Sequence, residues 1–177
     1  MNPLARRYRL TLVSLVLVGT VGCDQATKQL AISQLRDEPT RSFLGGLLRL
    51  TFAENPGAFL SLGGNLPQSV RFWLFSAAVG VLLLGTLAYL VMSRRLEPLQ
   101  SVALALIVGG GLSNWFDRLV NDGRVVDFLN LGIGSLRTGI FNVADVALML
   151  GAGLLILAGR RANNPEERQG DATGSSR

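Results

Sequence analysis

Histidine is absent from these 177 residues, and cysteine occurs once, as Cys23. The first absence removes the side chain that ordinarily moves protons near neutral pH, so acid–base work falls mainly to carboxyl groups with shifted pKa values. The second excludes an internal disulfide, and the two together leave no metal-ligand spacing. Charge is scarce as well: 16% of residues are charged, against about 25% in a soluble domain. With 49% hydrophobic residues and a mean hydropathy of +0.37, the composition belongs to the membrane class. A formal charge of +5 would suggest nucleic-acid binding in a soluble protein. Here the arginines stand singly or in pairs at the ends of apolar runs, with no aromatic-interleaved basic stripe. Lipid anchoring and topology account for them better.

What is present is four apolar segments, each near the length of about 20 residues that a helix needs to cross a bilayer. The second, residues 72–92, has no charge; the third, 99–116, carries Gly109-Gly110-Gly111 and Asn114 near its end; the fourth is 141–159. The first follows Arg6, Arg7 and Arg9 and is purely apolar only over residues 10–22, so to span it must take in Asp24 and Lys28. Small residues in the third span would let neighbouring helices approach closely. Arg6/Arg7/Arg9, Arg94-Arg95 and Arg160-Arg161 all fall on one side of a four-helix topology, which places both termini in the cytoplasm. Two long outside connections, 33–71 and 117–140, are where functional machinery belongs. The first contains Phe43-Leu44-Gly45-Gly46-Leu47-Leu48-Arg49-Leu50-Thr51-Phe52, read as two short strands about a Gly-Gly turn, and residues 124–131 supply another strand. No internal repeat is visible. Residues 1–161 are expected to form one membrane domain, and 162–177 a polar, disordered cytoplasmic tail.

Each polar residue has a plain structural explanation. Asn142 followed by Asp145 is an N-cap with its capping-box acid. Asp24 and Lys28 form an i,i+4 ion pair, and Asn114, Asp117 and Arg118 share a helix face. The outside ends of spans one, three and four nevertheless each carry an aspartate, and two of them also an asparagine. Capping does not require three ends to agree; a shared polar site does. Asp127, in the outside connection, faces Asp145 across such a site. Two adjacent carboxyls cannot both ionise easily, so one keeps a proton into neutral pH. The ionised member can then activate water while the other donates to a carbonyl oxygen, which is peptide hydrolysis by carboxyls alone.

The blocks Asp24-Gln25-Ala26-Thr27-Lys28, Asn55-Pro56-Gly57-Ala58, Asn114-Trp115-Phe116-Asp117-Arg118, Val125-Val126-Asp127-Phe128 and Phe141-Asn142-Val143-Ala144-Asp145 together resemble those of the lipoprotein signal peptidase (signal peptidase II) family. That resemblance implies an all-α integral membrane protein of four transmembrane helices with a small extracytoplasmic β-cradle and a short extracytoplasmic helix. It implies an aspartic endopeptidase of the bacterial inner membrane that cuts diacylglyceryl-modified prolipoproteins just before the lipidated cysteine. Asp127 and Asp145 match the catalytic pair; Asp24, Lys28, Asn55, Gly57, Ala58, Asn114, Asp117, Arg118, Asn142 and Ala144 match residues that line or brace the site. The partners implied are lipid-modified prolipoproteins and membrane lipid, with no nucleic acid, no metal or cofactor, and a monomeric chain. Two positions depart from the family pattern: Ala58-Phe59-Leu60-Ser61 replaces Ala-Ala-Phe-Ser, and Ser113 stands where glycine is usual, a change expected to be small.

Two other classes of protein share part of this pattern. Gly22-Cys23 after a basic, apolar start imitates a lipoprotein signal peptide, but Thr20 is a poor match and three further spans would go unexplained. A small transporter would also place Asp and Arg near the membrane, yet there is no inverted repeat.

Overall fold

A computed structural model describes residues 3–57 and 65–162. Four helices within it are long and apolar enough to cross a membrane. In chain order the elements are α1 (Pro3–Leu35), β1 (Arg41–Phe43), β2 (Leu48–Asn55), α2 (Gln68–Arg71), a π-helical stretch (Phe72–Ala78), α3 (Val79–Met92), α4 (Pro98–Val120), β3 (Val125–Ile133), β4 (Leu136–Arg137) and α5 (Val143–Ala162). The tail expected from residue 162 lies outside the described residues, apart from Ala162, which closes α5.

The first span begins earlier than the hydropathy suggests because one of its arginines has work inside the bundle. Arg9 is buried and donates to the carbonyls of Leu90 at 2.9 Å and Ser93 at 2.6 Å. It thus serves carbonyls that the C-terminus of α3 leaves without helical partners, at the end of the dipole that favours a cation. Across that same end of the bundle, α4 starts with Pro98 and a complete capping box between Glu97 and Gln100, the arrangement that satisfies exposed N–H groups at a helix start.

α4 is the central helix and packs on α1, α3 and α5. The glycine run explains how one helix can serve three neighbours: a Cβ on Gly109 would meet Thr20 of α1, on Gly110 the carbonyl oxygen of Ala144 in α5, and on Gly111 Leu83 of α3. Successive residues point about 100° apart around a helix, so three adjacent glycines let three helices approach at one level. One turn on, Trp115 lies against Gly80 and donates its indole N–H to Ser76 O at 2.7 Å, a carbonyl in the π-helical stretch. Outward faces carry Leu15, Val18, Val81, Leu82 and Ile156 well exposed, as a lipid-facing surface requires.

The two long connections fold into an antiparallel sheet in the order β1-β2-β3-β4. The Gly-Gly turn is where the spacing predicts it, with Gly45 and Gly46 at φ of 63° and 93°, a region that costs glycine little. β2 and β3 run longer than the strand pieces read from sequence, and β4 was not foreseen. Ala31 and Leu35 of α1 pack with Phe128, Leu50, Phe52, Leu129 and Val143, which fixes the sheet to the end of α1 and so fixes Asp127 relative to the bundle.

Candidate active site

The C-terminal halves of α1 and α4 and the first turn of α5 meet at one end of the bundle, beneath the end of the sheet. Into this junction α1 sends Asp24, Gln25 and Lys28, α4 sends Ser113, Asn114, Asp117 and Arg118, β2 ends with Asn55, β3 supplies Asp127, and α5 opens with Asn142, Ala144 and Asp145. All of the aspartates, Lys28 and the three asparagines are buried. Nearly every predicted site residue is therefore brought together; Ala58 lies outside the described residues.

The buried carboxyls fall into two classes by what holds them. Asp24 and Asp117 are ion-paired: Lys28 Nζ lies 2.6 Å from Asp24 Oδ2 and 2.9 Å from Asp117 Oδ2, and spends its third hydrogen on Asn114 Oδ1 at 2.8 Å. Asp24 also accepts from the Ser113 hydroxyl at 2.7 Å and from the main-chain N–H of Ala144 at 2.8 Å. Asp117 accepts from Gln25 at 2.8 Å and from the main-chain N–H of Val126 at 3.1 Å. These two tie α1, α4, β3 and α5 into one block. A lysine with all three hydrogens satisfied is the condition under which a buried ion pair is tolerable.

Asp127 and Asp145, by contrast, accept only from amides in the described contacts. Asp127 takes Asn55 Nδ2 at 2.8 Å and Asn142 Nδ2 at 2.6 Å; Asp145 takes Asn114 Nδ2 at 3.0 Å and the main-chain N–H of Asn142 at 3.3 Å. Asn142 returns the bond, its Oδ1 accepting from Asp145 N–H at 2.9 Å. The capping box read from the spacing is thus real, and the amide left over from it reaches Asp127. One side chain thus both caps α5 and holds Asp127. Amide donors orient a carboxyl without fixing its charge, whereas an ion pair fixes it. Burial pushes the Asp127 carboxyl up to about 7; the negative charge of Asp145 acts in the same direction, and the bonds from Asn55 and Asn142 oppose it.

Arg118 stands beside the pair without bonding to it. Its guanidinium donates to Gly57 O at 2.6 Å and Asn114 O at 3.3 Å and sits over the Phe75 ring. Gly57 N in turn donates to Asn55 Oδ1 at 2.9 Å, so Arg118 and Asn55 hold the end of β2 against the site from two directions. Buried Arg118 Nε has no hydrogen-bond partner among the described residues.

Sequence reading missed two contributors. Gln25 lies inside the Asp24 block but drew no attention of its own; it bridges Ser113 Oγ at 2.9 Å and Asp117. Ser113, expected to be a small change from glycine, is completely buried and holds Asp24, so that expectation is corrected. No local pattern signals it, because the contact joins residues 89 positions apart on two helices.

Comparison with known proteins places the chain in a family. Residues 16–160 match the family model for signal peptidase (SPase) II. The chain is 37% identical over 153 residues to the lipoprotein signal peptidase of Leifsonia xyli subsp. xyli, covering 84% of this chain and 66% of that protein. It is 32% identical to that of Brevibacillus brevis, covering 81% and 91%, and 37% identical to that of Chlorobium phaeovibrioides, covering 80% and 86%. A bacterial membrane enzyme solved by the in meso method at 2.3 Å superposes with a TM-score of 0.73 at 26% identity, over 86% of this chain and 89% of the other. With the match running from the first span to the end of the fourth, the chain belongs to the signal peptidase II family.

Proposed function

We propose that this protein is an aspartic endopeptidase that removes signal peptides from diacylglyceryl-modified prolipoproteins, cutting just N-terminal to the lipidated cysteine. The observation that carries the reading is the division of the buried carboxyls: Asp24 and Asp117 share the ammonium of Lys28, while Asp127 and Asp145 are held by amides alone and remain free to exchange a proton. The ionised member of the pair takes a proton from a water whose oxygen attacks the scissile carbonyl carbon. The protonated member donates to the carbonyl oxygen. As the tetrahedral species collapses, the C–N bond breaks, the nitrogen takes up the proton gained from water, and the oxygen returns its own to the other carboxyl. Arg118, the Asn142 amide and the helix start of α5 supply the surrounding positive potential.

The enzyme is read as a multi-pass protein of the bacterial inner membrane with its site at the extracytoplasmic face. Arg6, Arg7, Arg94, Arg95 and Arg160 lie at the opposite helix ends from Asp24, Asp117 and Asp145, which supports a cytoplasmic position for the arginines. A site at the bilayer edge lets acyl chains stay in lipid while the peptide bond meets water. Asp127→Asn and Asp145→Asn, assayed for signal-peptide release from a lipidated prolipoprotein, test the reading. Loss of cleavage in both is expected; full cleavage by either overturns it.

A further inference from the structure

The sheet and α1 enclose a second feature, separate from the aspartates. Thr27, Leu30, Ala31, Gln34 and Leu35 of α1, with Arg41, Leu50 and Phe128 of the sheet, line an open cleft of about 310 Å³. Thr27, Leu30, Ala31 and Gln34 follow the i, i+3, i+4, i+7 spacing of one helix face; Ala31 borders the face that carries Asp24 and Lys28, and Thr27, Leu30 and Gln34 lie to one side of it. Consecutive side chains of a strand project in different directions, and here Asp127 bonds the asparagines of the site while Phe128 lines the cleft.

The cleft has an apolar floor and a charged rim. Its wall includes Leu30, well exposed on the outer end of a membrane-spanning helix, so hydrocarbon has direct access. At the rim Arg41 is exposed and donates to Gln34 O at 3.2 Å. Two other arginines on this surface, Arg36 and Arg124, are engaged by Glu54, whereas no carboxylate pairs with Arg41 among the described residues. A guanidinium lacking a counter-charge, set above an apolar slot at the level where a span leaves the bilayer, complements a phosphate attached to an acyl chain.

We propose that this cleft holds one acyl chain of an anionic glycerophospholipid from the surrounding leaflet, with its phosphate on Arg41. The bound lipid covers the apolar seam between α1 and the sheet. This site is distinct from the one that meets the scissile bond, and its test reads lipid rather than cleavage, so it stands or falls separately from the peptidase reading.

The full chain, reconstituted in nanodiscs of phosphatidylcholine with a minor share of phosphatidylglycerol, would be released and its retained lipids counted by native mass spectrometry. Wild type should keep a phosphatidylglycerol that Arg41→Gln loses by roughly fivefold, the equivalent of the ~1 kcal/mol one arginine gains beside anionic lipid. Leu30→Trp, which crowds the slot from an exposed position, should lose it too, and Arg41→Lys should keep most of it. Equal retention in all four proteins would overturn the proposal. So would displacement of the phosphatidylglycerol by uncharged diacylglycerol of the same chains, which would mark a site for neutral lipid.

Discussion

Asn142 Nδ2 lies 2.6 Å from Asp127 Oδ1, so the side chain that starts α5 also orients a carboxyl on β3. One asparagine thereby couples the position of a helix to that of a strand, and through Asp145 to the second carboxyl of the pair. The two duties can be separated. Serine caps helices about as well as asparagine but has no amide to reach Asp127. Asn142→Ser keeps the cap but strands the Asp127, Asn114 and Val126 oxygens that the amide serves, so it should lose roughly 1–3 kcal/mol of stability and at least about tenfold in kcat, one orienting hydrogen bond to a charged group being worth roughly 1.5–3 kcal/mol. Asn142→Ala should lose the activity and about 1 kcal/mol more, the worth of the cap. Thermal melts and cleavage assays on both variants check this; an Asn142→Ser enzyme with wild-type kcat would show that the amide does not orient the pair.

The Asp127 carboxyl, pushed up to about 7 by burial and by Asp145, gives two pH effects. The proposed mechanism needs one proton on the pair, so kcat should decline as pH rises past about 7 and the pair becomes doubly ionised. For stability the sign follows from proton binding: between the unfolded value near 4 and about 7 the folded protein holds the extra proton. The stabilisation it brings is complete below pH ~4 and is lost as pH rises through about 7. Asp127→Asn cannot ionise, so its advantage in melting temperature over wild type should be larger at pH 8 than at pH 5. A constant difference across that range would contradict the shifted carboxyl.

Lys28 holds two carboxylates in a buried site. Lys28→Met leaves both unpaired, and breaking a buried pair in this way costs about 3–5 kcal/mol. The variant should express poorly and melt far below wild type. Replacing Asp24 and Asp117 by Asn in the same chain removes the stranded charges and should recover part of the loss. Melting of all three in detergent decides whether Lys28 acts by charge balance.

Ser113→Ala removes a donor to Asp24 and an acceptor for Gln25. A loss of roughly 1–3 kcal/mol is expected from partners left unsatisfied, along with a fall in kcat, because Asp24 also holds the N–H of Ala144 beside Asp145. Ser113→Thr retains the hydroxyl and tests whether the effect belongs to the hydrogen bond. If the alanine variant melts and cleaves like wild type, the hydroxyl contributes nothing.

Gly110→Ala should damage the enzyme without touching any polar group. Its Cβ would lie 2.5 Å from Ala144 O, so α5 must move and carry Asn142 and Asp145 with it. Gly19→Ala and Gly22→Ala, where nothing lies within 4 Å, serve as controls and should be neutral. Circular dichroism together with cleavage distinguishes a displaced helix from a lost one.

What the sequence reveals and what it hides divide by distance along the chain. Hydropathy locates the four spans, and local spacing yields the Asn142–Asp145 capping box and the Asp24–Lys28 pair, since partners three or four residues apart on a helix meet whatever else the chain does. The ends of the spans were less legible: α1 starts before its arginines because Arg9 finds the carbonyls of Leu90 and Ser93, and no local pattern encodes that. Asn55 meets Asp127 across 72 residues, and Ser113 meets Asp24 across 89. Such contacts exist only once helix packing and strand register are set. Ser113 was misjudged for this reason: its weight depends on which side chain the neighbouring helix turns toward it.

The three glycines of α4 carry a consequence for redesign. Because each lies against a different helix, the spacing of the buried carboxyl groups is inherited from backbone contact within the bundle and owes little to the outward residues. Positions such as Leu15, Val18, Val81 and Leu82 are therefore open to wholesale replacement. A version with a polar exterior, made for work outside membranes, could keep its reactive centre intact provided residues 109–111 stay as they are.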